Sequence, residues 1–446
     1  MGVESPGLSL CMIVRDEESF LPGSLAAAAP LVDEIVIVDT GSTDRTPRIA
    51  AAAGARLLED PWRDDFSRAR NLALDAARGL WILVLDADER LLPCSRTLLD
   101  RAIQSPKNEA LTVEIRSELA GGGLQSTHIV RLFKNRPEYR YRGRIHEQIA
   151  PAIAAHLGLP HIRPPRSPLV ALHSGYRPDQ RAARQKAARN ERLLRAAVSE
   201  HPDDPSLRFL LARELTREAE GELLRLPRNE EALALLEAAL PHHDRPLLAH
   251  EQDASVRLAR LCILYRRFEQ AAGILDRLGP AVGGYLPAAF ARAELLAGKQ
   301  EFPRAIHAFQ ACMEISADST PLGDVDPRLG GVWAWERIGH ALLELGQPEK
   351  ARKAAEKALD LGSSLAGPRL LLARIEAASN SIPSALRTLL EAARLSPQDP
   401  RPHLHLATLL HQAGKNAAAR QSTRTALKTA PRWVDALEFL SRLGEP

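Results

Sequence analysis

FSRARNLALDAARGLWILVLDADERLL, residues 66–92, holds a helix, a stop, a strand and two carboxylates in one short run. Phe66 to Arg78 has helical spacing with Asp65 as a plausible N-cap, and Gly79 closes it. WILVLD is continuously apolar until Asp86, the pattern of a strand buried on both faces. Asp88 follows one residue later. Two carboxylates at the end of a buried strand each need a partner. The reading expects that partner to be a bound ligand rather than another side chain.

The same alternation extends outward. LSLCMIV (Leu8 to Val14) and EIVIVD (Glu34 to Asp39) read as strands, with a helix over Glu18 to Ala29 between them. GSTD turns the chain into a helix with Pro47 in its first turn, Gly54 ends that helix, and ARLLE offers a third strand. Strand, helix, strand, helix, strand predicts an α/β domain on a doubly wound, mostly parallel sheet. Ligands of such sheets lie outside the carboxyl ends of the strands, where Asp39 and Asp86 fall.

From about Pro178 the rhythm changes. Phe268 and Phe302 are 34 residues apart, as are Ala271 and Ala305. Ala351, Ala385 and Ala419 repeat at the same step, as do Gly346, Asn380 and Gly414, and Pro397 and Pro431. Thirty-four residues is the tetratricopeptide period, in which small residues let paired helices approach closely. The expected organisation is an α/β domain over 1–176, a connecting helix over 177–202, and an all-α repeat solenoid of about six helix pairs over 203–446.

Composition narrows the function classes. Hydrophobic residues at 45% and charged residues at 26% are ordinary for a soluble globular protein, and aromatics at 4% disfavour an aromatic-rich β fold. A net charge of +3 over 446 residues gives no basis for a nucleic-acid partner. The arginine-rich stretch after Pro178 lacks interleaved aromatics and reads as a solvated helix. No stretch reaches the ~18 apolar residues of a membrane span, and no basic region precedes an apolar run at the start. Cys11, Cys94, Cys262 and Cys312 show no CxxC spacing and read as buried thiols of a reducing compartment, so a cytoplasmic location is expected. His403 and His405 read as part of a repeat helix.

SLCMIVRDEESFLPGSL, VDEIVIVDTGSTDRT, DPWRDDFSRARNLALDAARGLWILVLDADE and YRGRIHEQI, in this order, resemble family 2 glycosyltransferases of the GT-A fold. The variants IVDTGSTD and DDFSRARN are similar to those of bacterial enzymes with a tetratricopeptide tail, peptide S-glycosyltransferases among them. The resemblance implies an inverting, metal-dependent transfer from a nucleoside diphosphate sugar, a UDP-sugar as first expectation. Val14, Glu17 and Asp39 would grip nucleobase and ribose, and Arg70 would reach the nucleotide. Asp88 would hold Mn²⁺ or Mg²⁺, with Asp86 nearer the ribose and also on the metal side. Oxygen ligands suit such hard cations. The chain reads Asp16-Glu17-Glu18 where the family usually has Asn-Glu-Glu. His146-Glu147 stands where the family commonly places a Glu-Asp pair.

Inverting transfer needs a base opposite the leaving diphosphate, and Glu147 is the first candidate, with His146 as base or metal-side ligand. His173 is a further candidate for the ion or diphosphate. Trp62 reads first as a loop anchor, with stacking on a sugar or base as the alternative. The tail is expected to present a protein or peptide acceptor. A glycan or lipid-linked acceptor, or an inactive scaffold, are the competing readings. A homodimer is one expectation for the assembly, since solenoid tails often pair.

Overall fold

The parallel register expected from the strand–helix alternation is present in the computed structural model, which describes residues 7–118, 124–173, 180–216, 218–219, 222–240, 249–279, 284–315, 326–362 and 364–444. The chain divides into two compact units, Met1–Glu200 and His201–Pro446.

The first unit runs β1 (Leu8–Val14), α1 (Leu21–Ala28), β2 (Glu34–Asp39), α2 (Thr46–Ala52), β3 (Arg56–Glu59), α3 (Phe66–Ala76) and β4 (Trp81–Val84). It continues through β5 (Glu89–Leu91), α4 (Arg96–Gln104), β6 (Ala110–Glu118), β7 (Leu124–Lys134), α5 (Ala150–His156), β8 (Arg166–His173) and α6 (Gln180–Glu200). One eight-stranded sheet has the order β3-β2-β1-β4-β7-β6-β8-β5. Its first four strands are parallel, placing Val14 opposite Asp39 and Asp39 opposite Glu59 at one edge. Beyond β4 the sheet is mixed: β7 is antiparallel to β4 and β6, β8 is parallel to β6, and β5 is antiparallel to β8.

Alternation along β1 feeds both faces of this sheet. Leu8, Leu10, Met12 and Val14 pack with Leu21 and Leu25 of α1 and Leu99 and Ile103 of α4. Cys11 joins Val36, Val38, Ile82 and Val84 against Ala69, Ala73 and Leu74 of α3. Helices on both faces are what bury a parallel sheet. Three cysteines are buried as expected; Cys94 corrects that reading, being only half-buried in the turn before α4. Residues 174–179, where the expected connecting helix begins, lie outside the described residues, and α6 counts with the first unit.

The second unit contains six helix pairs and a final helix among the described residues. The pairs are α7 (Pro205–Leu215) with α8 (Asn229–Ala239), α9 (Ala249–Leu264) with α10 (Phe268–Arg277), and α11 (Leu286–Gly298) with α12 (Phe302–Glu314). They are followed by α13 (Val332–Glu344) with α14 (Pro348–Leu361), α15 (Ala366–Ala378) with α16 (Ile382–Leu395), and α17 (Arg401–Gln412) with α18 (Asn416–Thr429); α19 (Val434–Arg442) closes the series. Ala271, Ala305, Ala351, Ala385 and Ala419, the alanines of the 34-residue register, are all fully buried on the second helix of their pairs. Two residues ahead of those helices, Arg266, Gln300, Gly346, Asn380 and Gly414 all have left-handed backbone, with φ between 59° and 73°.

Close approach at these alanines makes a direct expectation. Ala385 packs with Leu370, Ala373 and Leu389. Ala385→Leu should therefore destabilise the second unit by about 1–3 kcal/mol through overpacking, read as a lower urea midpoint at unchanged slope. An unchanged midpoint would show that the register alanines do not set the helix spacing.

Candidate functional site

Two loops close the carboxyl ends of β1 and β2 by binding each other. Asp16, with left-handed backbone at φ 54°, donates its N–H to Ser42 Oγ (2.9 Å) and accepts from Thr43 N (2.7 Å) and Thr43 Oγ1 (3.1 Å) through Oδ1. Glu17 N–H donates to Thr46 Oγ1 (2.7 Å), and Glu18 N–H to Asp44 Oδ2 (3.1 Å). The aspartate that replaces the family's asparagine thus accepts from the GSTD backbone. Asp39, buried at the end of β2, accepts from the N–H and hydroxyl of Ser42.

The DDFSRARN segment is spent residue by residue on positioning. Asp65 caps α3 by accepting from Arg68 N. Trp62 donates to Asp64 Oδ1 (2.8 Å) and meets the Phe66 ring edge-on at 4.6 Å, a loop-anchoring contact. Asn71 donates to the Tyr141 carbonyl (3.0 Å) and accepts from its N–H (2.8 Å), as a second strand would. Phe66 N–H donates to the Arg144 carbonyl (2.9 Å). α3 therefore holds the 141–148 turn, which Arg142 and Gln148 close with paired backbone bonds. His146, left-handed at φ 53°, is exposed at the tip of that turn, and Glu147 is half-buried beneath it.

Arg70 joins this turn to the DxD. Its Nε donates to Glu147 Oε1 (2.5 Å) and its Nη2 to Asp86 Oδ1 (2.8 Å). Arg131, on β7, donates from Nη2 to Asp86 Oδ2 (2.9 Å) and Glu89 Oε1 (3.2 Å). The expectation that the DxD carboxylates lack partners in the chain is corrected here, because both oxygens of Asp86 are bound by buried guanidiniums. Burial works against the Asp86 charge, but Arg131 and Arg70 together hold its carboxyl well below the ordinary range. Burial likewise opposes the Arg70 charge, and Asp86 and Glu147 more than offset it. Arg70 Nη1, Arg131 Nε and the Tyr141 hydroxyl are buried beside this network with no hydrogen-bond partner among the described residues. Arg70 also lies 5.5 Å from the Tyr141 ring centre. Sequence reading missed Arg131 and Glu89. The faint signal was an arginine in the otherwise apolar stretch Ile129 to Phe133 and an acid directly after the DxD.

Asp88 pairs with His173 at the end of β8, Oδ2 to Nε2 at 3.1 Å, with Ser117 Oγ 3.3 Å from Nδ1. The hydrogen bond to Asp88 raises the His173 pKa. Two residues expected on the metal side are thus brought together. Among the described residues no group of three or more His, Cys, Asp or Glu gathers closely enough to hold an ion by itself. One carboxylate completed by phosphate oxygens of a substrate nonetheless fits the way Mg²⁺ is held, and the imidazole beside it, when neutral, can add a nitrogen ligand. Glu17 feels the negative potential of this site: burial, then Asp88 and Asp86, push its carboxyl up to about 7.

An α/β domain with acidic residues at the carboxyl ends of β2 and β4, continued by a helical repeat array, is the class these features define. Residues 9–154 match the family model described as Glycosyl transferase family 2, and residues 334–361 match the Tetratricopeptide repeat. The chain thus carries a family 2 glycosyltransferase domain followed by tetratricopeptide repeats.

Among curated relatives, it is similar to a TPR repeat-containing protein of Synechococcus elongatus, 43% identical over 46% of this chain and 52% of that protein. It is also similar to the SPbeta prophage-derived glycosyltransferase SunS of Bacillus subtilis, 24% identical over 62% of this chain and 63% of that one. A lipopolysaccharide core biosynthesis glycosyltransferase of Rhizobium meliloti, LpsC, is 31% identical over 32% of this chain and 57% of its own length. The chain therefore spans about half to under two thirds of the relatives it matches.

The raised Glu17 carboxyl predicts a pH-dependent strain. Its unfolded-state value, 4.5, lies below the folded one near 7, so the folded state binds the extra proton and loses stability as pH rises between those values. Glu17→Gln should raise the thermal midpoint relative to the native chain more at pH 8 than at pH 4. Equal differences at the two pH values would count against the crowding of carboxylates at this site.

Proposed function

We propose that the protein transfers a sugar from a nucleoside diphosphate sugar, a UDP-sugar as first expectation, to a protein or peptide acceptor, with divalent-metal assistance and inversion. The observation that carries this reading is the Arg70 bridge, which holds the acceptor-side carboxylate Glu147 and the donor-side carboxylate Asp86 on one guanidinium. A displacement at the anomeric carbon needs those two functions fixed relative to each other.

In this reading Val14 and Asp39 mark the nucleoside end of the crevice, with Glu17 beside them. Asp88 and His173 would hold Mn²⁺ or Mg²⁺, and the ion would supply positive charge to offset the negative charge of the diphosphate. Glu147 Oε1 is taken by Arg70, so Oε2 is the proposed proton acceptor from the attacking nucleophile. His146, exposed one residue earlier, is the alternative base in this reading. The repeat family match supports a protein or peptide acceptor, since solenoids bind extended chains. The likeness to LpsC favours, as a second reading, a glycan or lipid-linked acceptor. No helix among the described residues is long and apolar enough to cross a membrane. Four free cysteines suit a reducing compartment, which supports the cytoplasmic expectation.

Hydrolysis of UDP-, GDP- and dTDP-sugars without acceptor, with and without Mn²⁺, tests the donor half. At least one donor should be turned over only with metal. Asp88→Ala should abolish that turnover while the helical signal of the second unit stays unchanged. Glu147→Gln should lower transfer to acceptor by about 10²–10⁴-fold and leave donor binding intact. Metal-independent turnover, or full activity of Asp88→Ala, would refute this reading.

A further inference from the structure

Two members of the buried network have no role in the assignment above. Glu89, the first residue of β5, touches Asp86 three ways. Its Oε2 accepts from Asp86 N–H (2.9 Å), its N–H donates to the Asp86 carbonyl (3.1 Å), and its Oε1 shares Arg131 Nη2 with Asp86. Arg131 reaches both carboxylates with that one nitrogen, at 2.9 Å and 3.2 Å. The side chains of Glu89 and Arg131 are 4% and 11% exposed, whereas that of Asp86 is 34% exposed. Asp86 thus faces the crevice and the pair stands behind it.

The need for such a pair follows from charge. The segment after β4 carries Asp86, Asp88 and Glu89 within four residues, and Glu17 adjoins them. Carboxylates so crowded repel one another, and a loop without internal restraint would splay them. A buried guanidinium with two hydrogen-bonded acceptors is a rigid restraint, provided both acceptors stay.

Resting on the transfer reading above, we propose that Arg131 and Glu89 are a positioning pair for the donor site. They fix the orientation of the Asp86 carboxylate and, through Arg70, that of Glu147. Neither touches substrate. Such outer contacts typically contribute tenfold to a hundredfold in metal or ligand affinity.

Calorimetric titration of the full-length chain with UDP in Mn²⁺ tests this. Arg131→Met alone leaves Glu89 buried without its cation and Asp86 with Arg70 only, and is expected to unfold easily, so the informative variant is the charge-balanced Arg131→Met/Glu89→Gln. It should melt near the native temperature and bind UDP·Mn²⁺ about tenfold or more weakly. Arg131→Lys keeps a cation whose one nitrogen can serve both carboxylates, as Arg131 Nη2 does, and should bind within about threefold of native. Native-like affinity in the folded double variant would overturn the positioning role, and so would an Arg131→Lys variant as weak as the double variant. If the native chain binds none of UDP, GDP or dTDP with Mn²⁺, the transfer reading itself falls, and this inference with it. That outcome is distinct from binding that the variants leave untouched.

Discussion

The site depends on one buried cation. Arg70 rises from α3 into a space where solvent cannot compensate it, and its two carboxylate partners come from segments 16 and 77 residues away. Stripped of both acids, Arg70 would be an uncompensated buried charge, a loss of about 3–5 kcal/mol for such groups, whereas either acid alone still pairs with it. The same helix binds the 141–148 turn through Asn71 and Phe66, so three separate contacts fix its distance from the DxD. The geometry between the DxD and the 141–148 turn is thereby a property of α3 rather than of the loops that carry the acids. Loops are where such groups usually sit, and a rigid element behind them supplies the precision.

Most of the parallel half of the sheet could be read in the chain because β1, β2 and β4 are buried strands that announce themselves as apolar runs, while β3 is a short edge strand with exposed ends. β1 and β2 fall at Leu8–Val14 and Glu34–Asp39, the residues expected. The mixed half was less visible. β5 has three residues, too few for a period, and its place beside β8 is a long-range pairing with no local signature. The 34-residue step was legible because stacking demands a small side chain at one fixed place, and the five register alanines are completely buried.

The site was legible only as far as it is local. GSTD, the DxD and the acids around them could be placed at strand ends, since strand ends are defined by the strands. What could not be read was which charges neutralise which. Asp86 looked like a group waiting for a ligand because its partners, Arg70 and Arg131, lie 16 and 45 residues off and arrive through α3 and β7. Pairing of this kind is set by sheet order, not by spacing. Asp16 shows the converse: the departure from asparagine is absorbed by the N–H and hydroxyl of Thr43, 27 residues on in the GSTD loop.

The left-handed turns of the tail bear on how that tail assembles. All five adopt the same backbone, but only Gly346, Asn380 and Gly414 are residues that tolerate it, while Arg266 and Gln300 pay a penalty of about 1 kcal/mol each. In a nearest-neighbour array, unequal local terms make a gradient. The pairs after Gly346 have the more relaxed turns, so ordering is expected to start there and travel backward along the chain. The turns at Arg266 and Gln300 would close late, and on warming they would be the first to fray.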